Sequence, residues 1–245
     1  MVKGLFVTGT DTGVGKTVIS CSFVHILREQ MVDAVGFKPV ATGKVGDGWS
    51  DATALHEASG KCEPIEKICP LRFALPLAPT LAARAEGLGS PDLNLARHTL
   101  TQLCTQHDAV IVEGIGGVLT PLDEQTLVID FMAKIAFPAL IVCRAGLGTI
   151  NHTLLTVREI QRANLPLVGI VMNCTRAEDV NLMIGAKEEI ERISGQRVIA
   201  MLPYFGVVEE LEPPQSSFVA RVSAALTRQV NVKALLYTIN NENFR

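Results

Sequence analysis

A chain of 245 residues, 48% of them hydrophobic and 19% charged, is long enough to bury one large α/β core without staples. Its formal net charge of −3 gives no electrostatic reason to expect nucleic acid or an anionic membrane as a partner. The six cysteines are scattered with no C-x-x-C pair, which suits reduced, packed thiols and argues against zinc or a disulfide framework.

Short apolar runs alternate with longer stretches of helical period, the pattern of a parallel sheet flanked by helices on both faces. In chain order, Leu5 to Thr8 reads as the first strand and Val18 to Glu29 as the helix after a glycine-rich loop. Ala34 to Phe37 is a second strand. Ser50 and Asp51 resemble a helix N-cap and first turn, and Ser90 with Pro91 an N-cap followed by proline at N1. A helix near Asp92–Thr105 leads to a third strand, Ala109 to Val112, whose β-branched run predicts burial on both faces. Strands at Ala139–Cys143, Leu167–Met172 and Val198–Met201 follow, separated by helices at Asn151–Arg162 and Asp179–Ile193. The chain reads as one domain over residues 1–228, and the stretch 229–245 is either an extra helix or a loose tail. No apolar run approaches the roughly 20 residues of a membrane span. The N-terminus lacks a signal-peptide layout, so a cytosolic protein is expected.

In open parallel sheets, ligands bind beyond the carboxyl ends of the strands. The polar residues of interest gather there: Thr10–Thr17 after the first strand, Lys38 after the second, Glu113 after the third and Asn173 after a later one. The run Thr8-Gly9-Thr10-Asp11-Thr12-Gly13-Val14-Gly15-Lys16-Thr17 joins a strand to a helix. In such a loop the backbone N–H groups wrap phosphates and the helix N-terminus adds a favourable dipole. Gly13 and Gly15 allow close approach, Lys16 neutralises the outer phosphates, and the Thr17 hydroxyl reaches Mg²⁺. The strict pattern G-x-x-x-x-G-K-[ST] is not met, because position 10 is threonine and Gly9 lies one residue too early. The flanking strand and helix are what make the loop a phosphate site.

Mg²⁺ takes a few protein oxygens and completes its shell with phosphates and water. Glu113 ends the buried strand and precedes Gly114-Ile115-Gly116-Gly117, a turn able to approach phosphate. Asp51 is explained locally as a first-turn acid favoured by the helix dipole. Pro39 holds Lys38 extended, so its ammonium can project over the strand ends, where phosphoryl chemistry needs positive charge. On local signals alone a solvated strand-end lysine remains the competing reading.

Four segments occur in order: the phosphate loop, Gly36-Phe37-Lys38-Pro39-Val40, Val112-Glu113-Gly114-Ile115-Gly116-Gly117 and Leu147-Gly148-Thr149-Ile150-Asn151-His152. Together they closely resemble the dethiobiotin synthetase family, over about Lys3 to Glu212. The phosphate loop with one residue too many is typical of that family. The resemblance implies a P-loop fold working as a homodimer, with ATP as co-substrate, Mg²⁺ as cofactor, and 7,8-diaminononanoate and CO₂ as substrates. Lys16 and Lys38 match the two phosphate-directed lysines, Lys38 being the more directly catalytic. Thr17, Asp51 and Glu113 match the magnesium ligands, which promotes Asp51 from helix acid to candidate ligand.

The nucleotide contacts implied are Gly13, Val14, Gly15, Lys16, Thr17 and Val18, the turn Gly114, Ile115 and Gly116, and Asn173 as the adenine-reading residue beside Cys174. Pro203, Tyr204, Phe205 and Glu210 match the rest of the base pocket. Thr42 matches a substrate-contacting hydroxyl, and Asn151 a position where the partner subunit receives the substrate carboxylate. Two positions depart from the pattern: Gly13 stands where some relatives carry glutamate, and Thr80 where histidine is common. A positional ATPase of the MinD or ParA type is the main alternative. Those proteins carry a lysine early in the loop, where this chain has Asp11. A cobyrinate-type amide synthase begins with a similar loop, but it appends an amidotransferase domain for which 245 residues leave no room.

Overall fold

The computed structural model describes residues 4–177, 183–206 and 213–240. Six strands form one parallel sheet in the order β2-β5-β1-β6-β7-β8. They are β1 (Gly4–Gly9), β2 (Ala34–Phe37), β5 (Ala109–Glu113), β6 (Ala139–Arg144), β7 (Leu167–Asn173) and β8 (Val198–Leu202). The central strands are apolar on both sides because both faces are covered. Leu5 and Val7 of β1 join one core layer, and Phe6 joins the other. The same alternation divides Val110 and Val112 from Ala109 and Ile111 in β5, as the two-residue period of a strand requires.

One face is covered by α1 (Lys16–Glu29), α9 (Ser216–Thr227) and α10 (Val232–Asn240), whose Phe23, Leu226 and Leu235 pack on Leu5 and Val7. The other carries α5 (Leu93–Gln106), α6 (Val128–Ile135), α7 (Thr149–Arg162) and α8 (Met183–Ser194), anchored by Leu100, Phe131, Val157 and Ile190. A fully buried side chain of this size contributes about 2 kcal/mol each, so the two layers hold the strand ends in fixed relation. No helix among the described residues is long and apolar enough to cross a membrane.

Several local expectations are corrected. The cap of α5 is Asp92, whose carboxylate accepts from Asn94 N and Leu95 N, so the helix begins beyond Ser90 and Pro91. The cap position before α2 (Ser50–Ala58) is Trp49, and Ser50 is already helical. Helices α1 and α7 start two residues earlier than their apolar periodicity suggests. Each follows a glycine in the left-handed region, Gly15 and Gly148. In the stretch after Arg228, Val232–Asn240 form a helix, α10, with Leu235 and Ile239 buried, and residues 241–245 lie outside the described residues. A small parallel pair, β3 (Val40–Thr42) with β4 (Leu71–Phe73), was not anticipated. It stands with α3 (Ile65–Ile68) and α4 (Pro79–Ala85) beside the carboxyl end of β2. The start of the helix expected at Asp179 lies outside the described residues.

Candidate active site

The chain leaves β1 at Gly9 and returns as α1 at Lys16, folding its loop over the carboxyl end of the sheet. Val14 is fully buried beneath that loop and anchors it in the core. Gly15 has φ 95°, and a Cβ there would stand 2.3 Å from Asn173 Nδ2, so only glycine fits. Asn173, at the end of β7, donates from Nδ2 to Val14 O at 3.0 Å and clamps the loop to the sheet. The Lys16 ammonium donates to Asp11 O at 2.9 Å, across the mouth of the loop. Burial, and then the charge of Lys38, push the Lys16 pKa down to about 8. Bound phosphate oxygens would supply the negative charge this lysine lacks.

Facing the loop, side chains from α1, α2, β5 and the link after β2 converge. Thr17 Oγ1 lies 2.7 Å from Asp51 Oδ1 and 2.9 Å from Glu113 Oε1. The buried Lys38 ammonium donates to Glu113 Oε1 at 2.6 Å and Gly114 O at 3.0 Å, and pairs with Asp51 Oδ2 at 2.7 Å. These three acceptors use all three of its protons. Burial alone would lower the Lys38 pKa, but the Asp51 and Glu113 carboxylates override it and hold the group protonated. Burial would raise the Asp51 carboxyl, but the charge of Lys38, hydrogen bonds from Lys38 and Thr17, and the charge of Lys16 together hold it below the usual carboxylate value. Burial pushes Glu113 up against the pull of Lys38.

Glu113 Oε2 is buried with no hydrogen-bond partner. An orphaned carboxylate oxygen beside a hydroxyl and a second carboxylate is an incomplete set of hard oxygen donors. The residues present therefore fit a small divalent cation.

The loop, Lys38, Asp51 and Glu113 open onto a cavity of ≈ 680 Å³. Of the expected site residues, Gly13, Gly15, Lys16, Thr17, Val18, Lys38, Thr42, Asp51, Glu113, Ile115 and Gly116 line it. Gly114 contributes its carbonyl to Lys38. Gly116 has φ 58°, and a Cβ there would stand 2.4 Å from Thr120 Oγ1, which accepts from Gly117 N. Cys174 is buried, its thiol donating to Arg176 O.

Pro203, Tyr204 and Phe205 follow β8, with Phe205 edge-on to Phe218 at 6.3 Å and 5.5 Å from the Arg221 guanidinium. Glu210 lies outside the described residues. Asn151, exposed in the first turn of α7, is not brought to this cavity. The sequence reading missed Ser50, Thr120 and Pro214, which also line it. Pro76, Leu77 and Ala78 do as well, and the departure at Thr80 pointed only indirectly to that segment. None of these carries a motif of its own; tertiary folding alone brings them in.

A strand–loop–helix phosphate cradle, a lysine at the helix start and acids at neighbouring strand ends define an ATP-binding α/β protein of the P-loop class. A protein-family model described as an AAA domain matches residues 3–212. Among curated proteins, the ATP-dependent dethiobiotin synthetase of Anaeromyxobacter dehalogenans (strain 2CP-C) is 48% identical over 83% of this chain and 91% of its own. That of Bacillus licheniformis is 39% identical over 86% of this chain and 87% of its own. The chain belongs to the ATP-dependent dethiobiotin synthetase family.

Solved structures share the fold. MinD of Pyrococcus horikoshii, complexed with Mg-ADP, aligns over 96% of this chain and 99% of that one at TM-score 0.58 and 12% identity. A chain of the MinC:MinD cell division protein complex of Aquifex aeolicus aligns over 96% of this chain and 96% of that one at TM-score 0.57 and 15% identity. Identities this low speak for the fold alone.

Proposed function

We propose that this chain closes the ureido ring of dethiobiotin from 7,8-diaminononanoate and CO₂, spending ATP to activate a carbamate and releasing ADP and phosphate. An amine and CO₂ form a carbamate unaided, but a carbamate is a poor electrophile. Transfer of the γ-phosphoryl group to a carbamate oxygen gives a carbamic–phosphoric anhydride. The neighbouring amine then attacks its carbonyl carbon, the C–O bond to phosphate breaks, and the ring closes. Such chemistry needs positioning and charge neutralisation more than a nucleophile. The observation that carries the reading is the convergence of Lys38, Thr17, Asp51 and Glu113 beside the phosphate loop, in a cavity lined by no cysteine or histidine among the described residues.

In this reading the loop amides from Gly13 to Val18, with Lys16, hold the phosphates. Lys38 stabilises negative charge on the transferred group. Thr17, Asp51 and Glu113 hold Mg²⁺, supported by the orphaned Glu113 Oε2. Bound there, the ion neutralises the phosphate oxygens. Thr42 contacts the diamine, and the Gly114–Gly116 turn contacts the nucleotide beside it.

Asn173 reads the base, with Cys174, Pro203, Tyr204, Phe205 and Glu210 around it. Its Nδ2 gives one N–H to Val14 O, which leaves the second N–H and Oδ1 to read the base. The enzyme acts as a cytosolic homodimer in which Asn151 serves the partner's site. Its exposure outside the cavity, close to Leu147 at 94% exposed, supports that arrangement. Within the stretch 229–245, α10 completes the covering of one sheet face.

ADP release that requires both the diamine and bicarbonate is the expected result for the purified protein with ATP and Mg²⁺. Release indifferent to the diamine would instead favour the switch-ATPase reading.

A further inference from the structure

The chain between the end of β3 and the first turn of α2 brings Thr42, Gly43, Ser50 and Asp51 to the cavity wall, and the segment joining them has little stiffness of its own. Gly43, Gly46 and Gly48 lie within it, the first two at positive φ. Lys44 N and Gly43 N bond to Ala74 O and Leu75 O, and Val45 bridges Gly48. The far end of the segment is tied down by a side chain.

Trp49, the chain's single tryptophan, donates from its indole Nε1 to Phe73 O at 2.7 Å. The Lys44 ammonium, 5.6 Å from the centroid, and the Arg72 guanidinium, at 5.3 Å, both lie over its ring. Arg72 is itself steadied by Glu66 at 3.5 Å. The indole also packs on Ala41, Ala52 and Cys69, and Trp49 O accepts from Thr53 N in the first bond of α2. Two residues further on, Asp51 reaches Lys38 and Thr17.

We infer that Trp49 is a positioning residue: it pins the first turn of α2 to the end of β4, so that the Asp51 carboxylate is preset for a divalent cation. Trp49 does not line the cavity, so its effect passes through Asp51. Two cation–π contacts and one part-buried hydrogen bond fix the ring, where a glycine-rich loop would otherwise let the helix start drift. The inference rests on the reading of Asp51 as a metal ligand.

The test is calorimetric titration of Mg²⁺ into protein saturated with a non-hydrolysable ATP analogue, for the unaltered chain and for Trp49→Phe, Trp49→Ala and Asp51→Asn. Trp49→Phe keeps an aromatic face and removes only the indole N–H and part of the stacking. It should raise the Mg²⁺ Kd roughly five-fold, and Trp49→Ala roughly ten-fold or more. Affinity for the analogue in EDTA should be unchanged in both. An unaltered Mg²⁺ Kd in Trp49→Phe, while Asp51→Asn raises it, overturns the role of Trp49 and leaves the ligand assignment standing. A matching loss of analogue affinity in EDTA also overturns it, because it marks a general packing role. If Asp51→Asn leaves the Mg²⁺ Kd unchanged, the ligand assignment falls and this inference falls with it. Should Trp49→Ala not fold, Trp49→Phe decides.

Discussion

Three acceptors surround the Lys38 ammonium, and two of them are the carboxylates proposed to hold the cation. In the structure the lysine is the nearest cation to both Asp51 and Glu113; with Mg²⁺ bound those carboxylates would have a second cation to satisfy. Removing the lysine leaves buried Glu113 and part-exposed Asp51 without their nearest counter-charge. Lys38→Met should therefore destabilise the metal-free protein by about 3 kcal/mol, read as a lower thermal midpoint in EDTA. Mg²⁺ should restore more of that loss than it adds to the unaltered chain. Turnover of the variant should fall by roughly a hundred-fold or more while ATP affinity changes little; near-native turnover would remove Lys38 from the reaction. Local sequence could not decide this residue, because a lysine after a strand is most simply solvated. What the sequence does not display is that Lys38 N bonds to Ile68 O and the side chain is then enclosed, at 1% exposure. Asp51 was just as ambiguous, its first-turn position being explicable by the helix dipole alone. Thr17 was plain, because one short motif fixes its place at the helix start.

Away from the cavity, α3, α5 and β2 are fastened by a polar clasp. Glu63, just ahead of α3, accepts from Lys67 at 2.9 Å and lies 3.1 Å from His107 Nε2 at the end of α5. The other ring nitrogen of His107 lies 2.9 Å from Asp33, just ahead of β2. Burial pushes the Glu63 carboxyl up, but hydrogen bonds with Lys67 and His107 outweigh it and hold the group below its usual 4.5. A depressed acid contributes stability above its unfolded value and loses it as pH falls through the folded one. The thermal midpoint should thus decline as pH drops from roughly 5 to 3. Glu63→Gln should start lower at neutral pH, by about 1 kcal/mol or less, and decline less steeply; parallel declines would contradict the clasp. Strands buried on both faces, such as β5 and β6, were legible because a β-branched apolar run has few other homes. The pair β3 and β4 was not, because three residues carry no period. Caps were misplaced where a better acceptor stood next door, as Asp92 does beyond Ser90. The tail was undecided for a physical reason too: a short apolar pattern becomes a helix only when a core is there to receive Leu235 and Ile239.

The six strands and their two helical layers place every proposed reacting group at one edge of the sheet, and that convergence follows from strand order. With β1 flanked by β5 and β6, the phosphate loop, Glu113 and the loop after β6 become neighbours. Residue spacing could predict the parallel sheet and the crevice, but not the order β2-β5-β1-β6-β7-β8. Asn173 illustrates the gap: it was expected as a base reader, and the structure also makes it the clamp on Val14. The MinD-like fold shows how far architecture alone goes, since a switch ATPase and a synthetase can share it; the family match and the site separate them. The direct measurement is mass spectrometry of a reaction containing the purified chain, 7,8-diaminononanoate, ¹³C-bicarbonate, ATP and Mg²⁺, with each component omitted in turn. Dethiobiotin carrying a single ¹³C, and absent from every omission, is the predicted result. ATP consumed with no labelled ring product would contradict the account and leave only a nucleotide-binding fold.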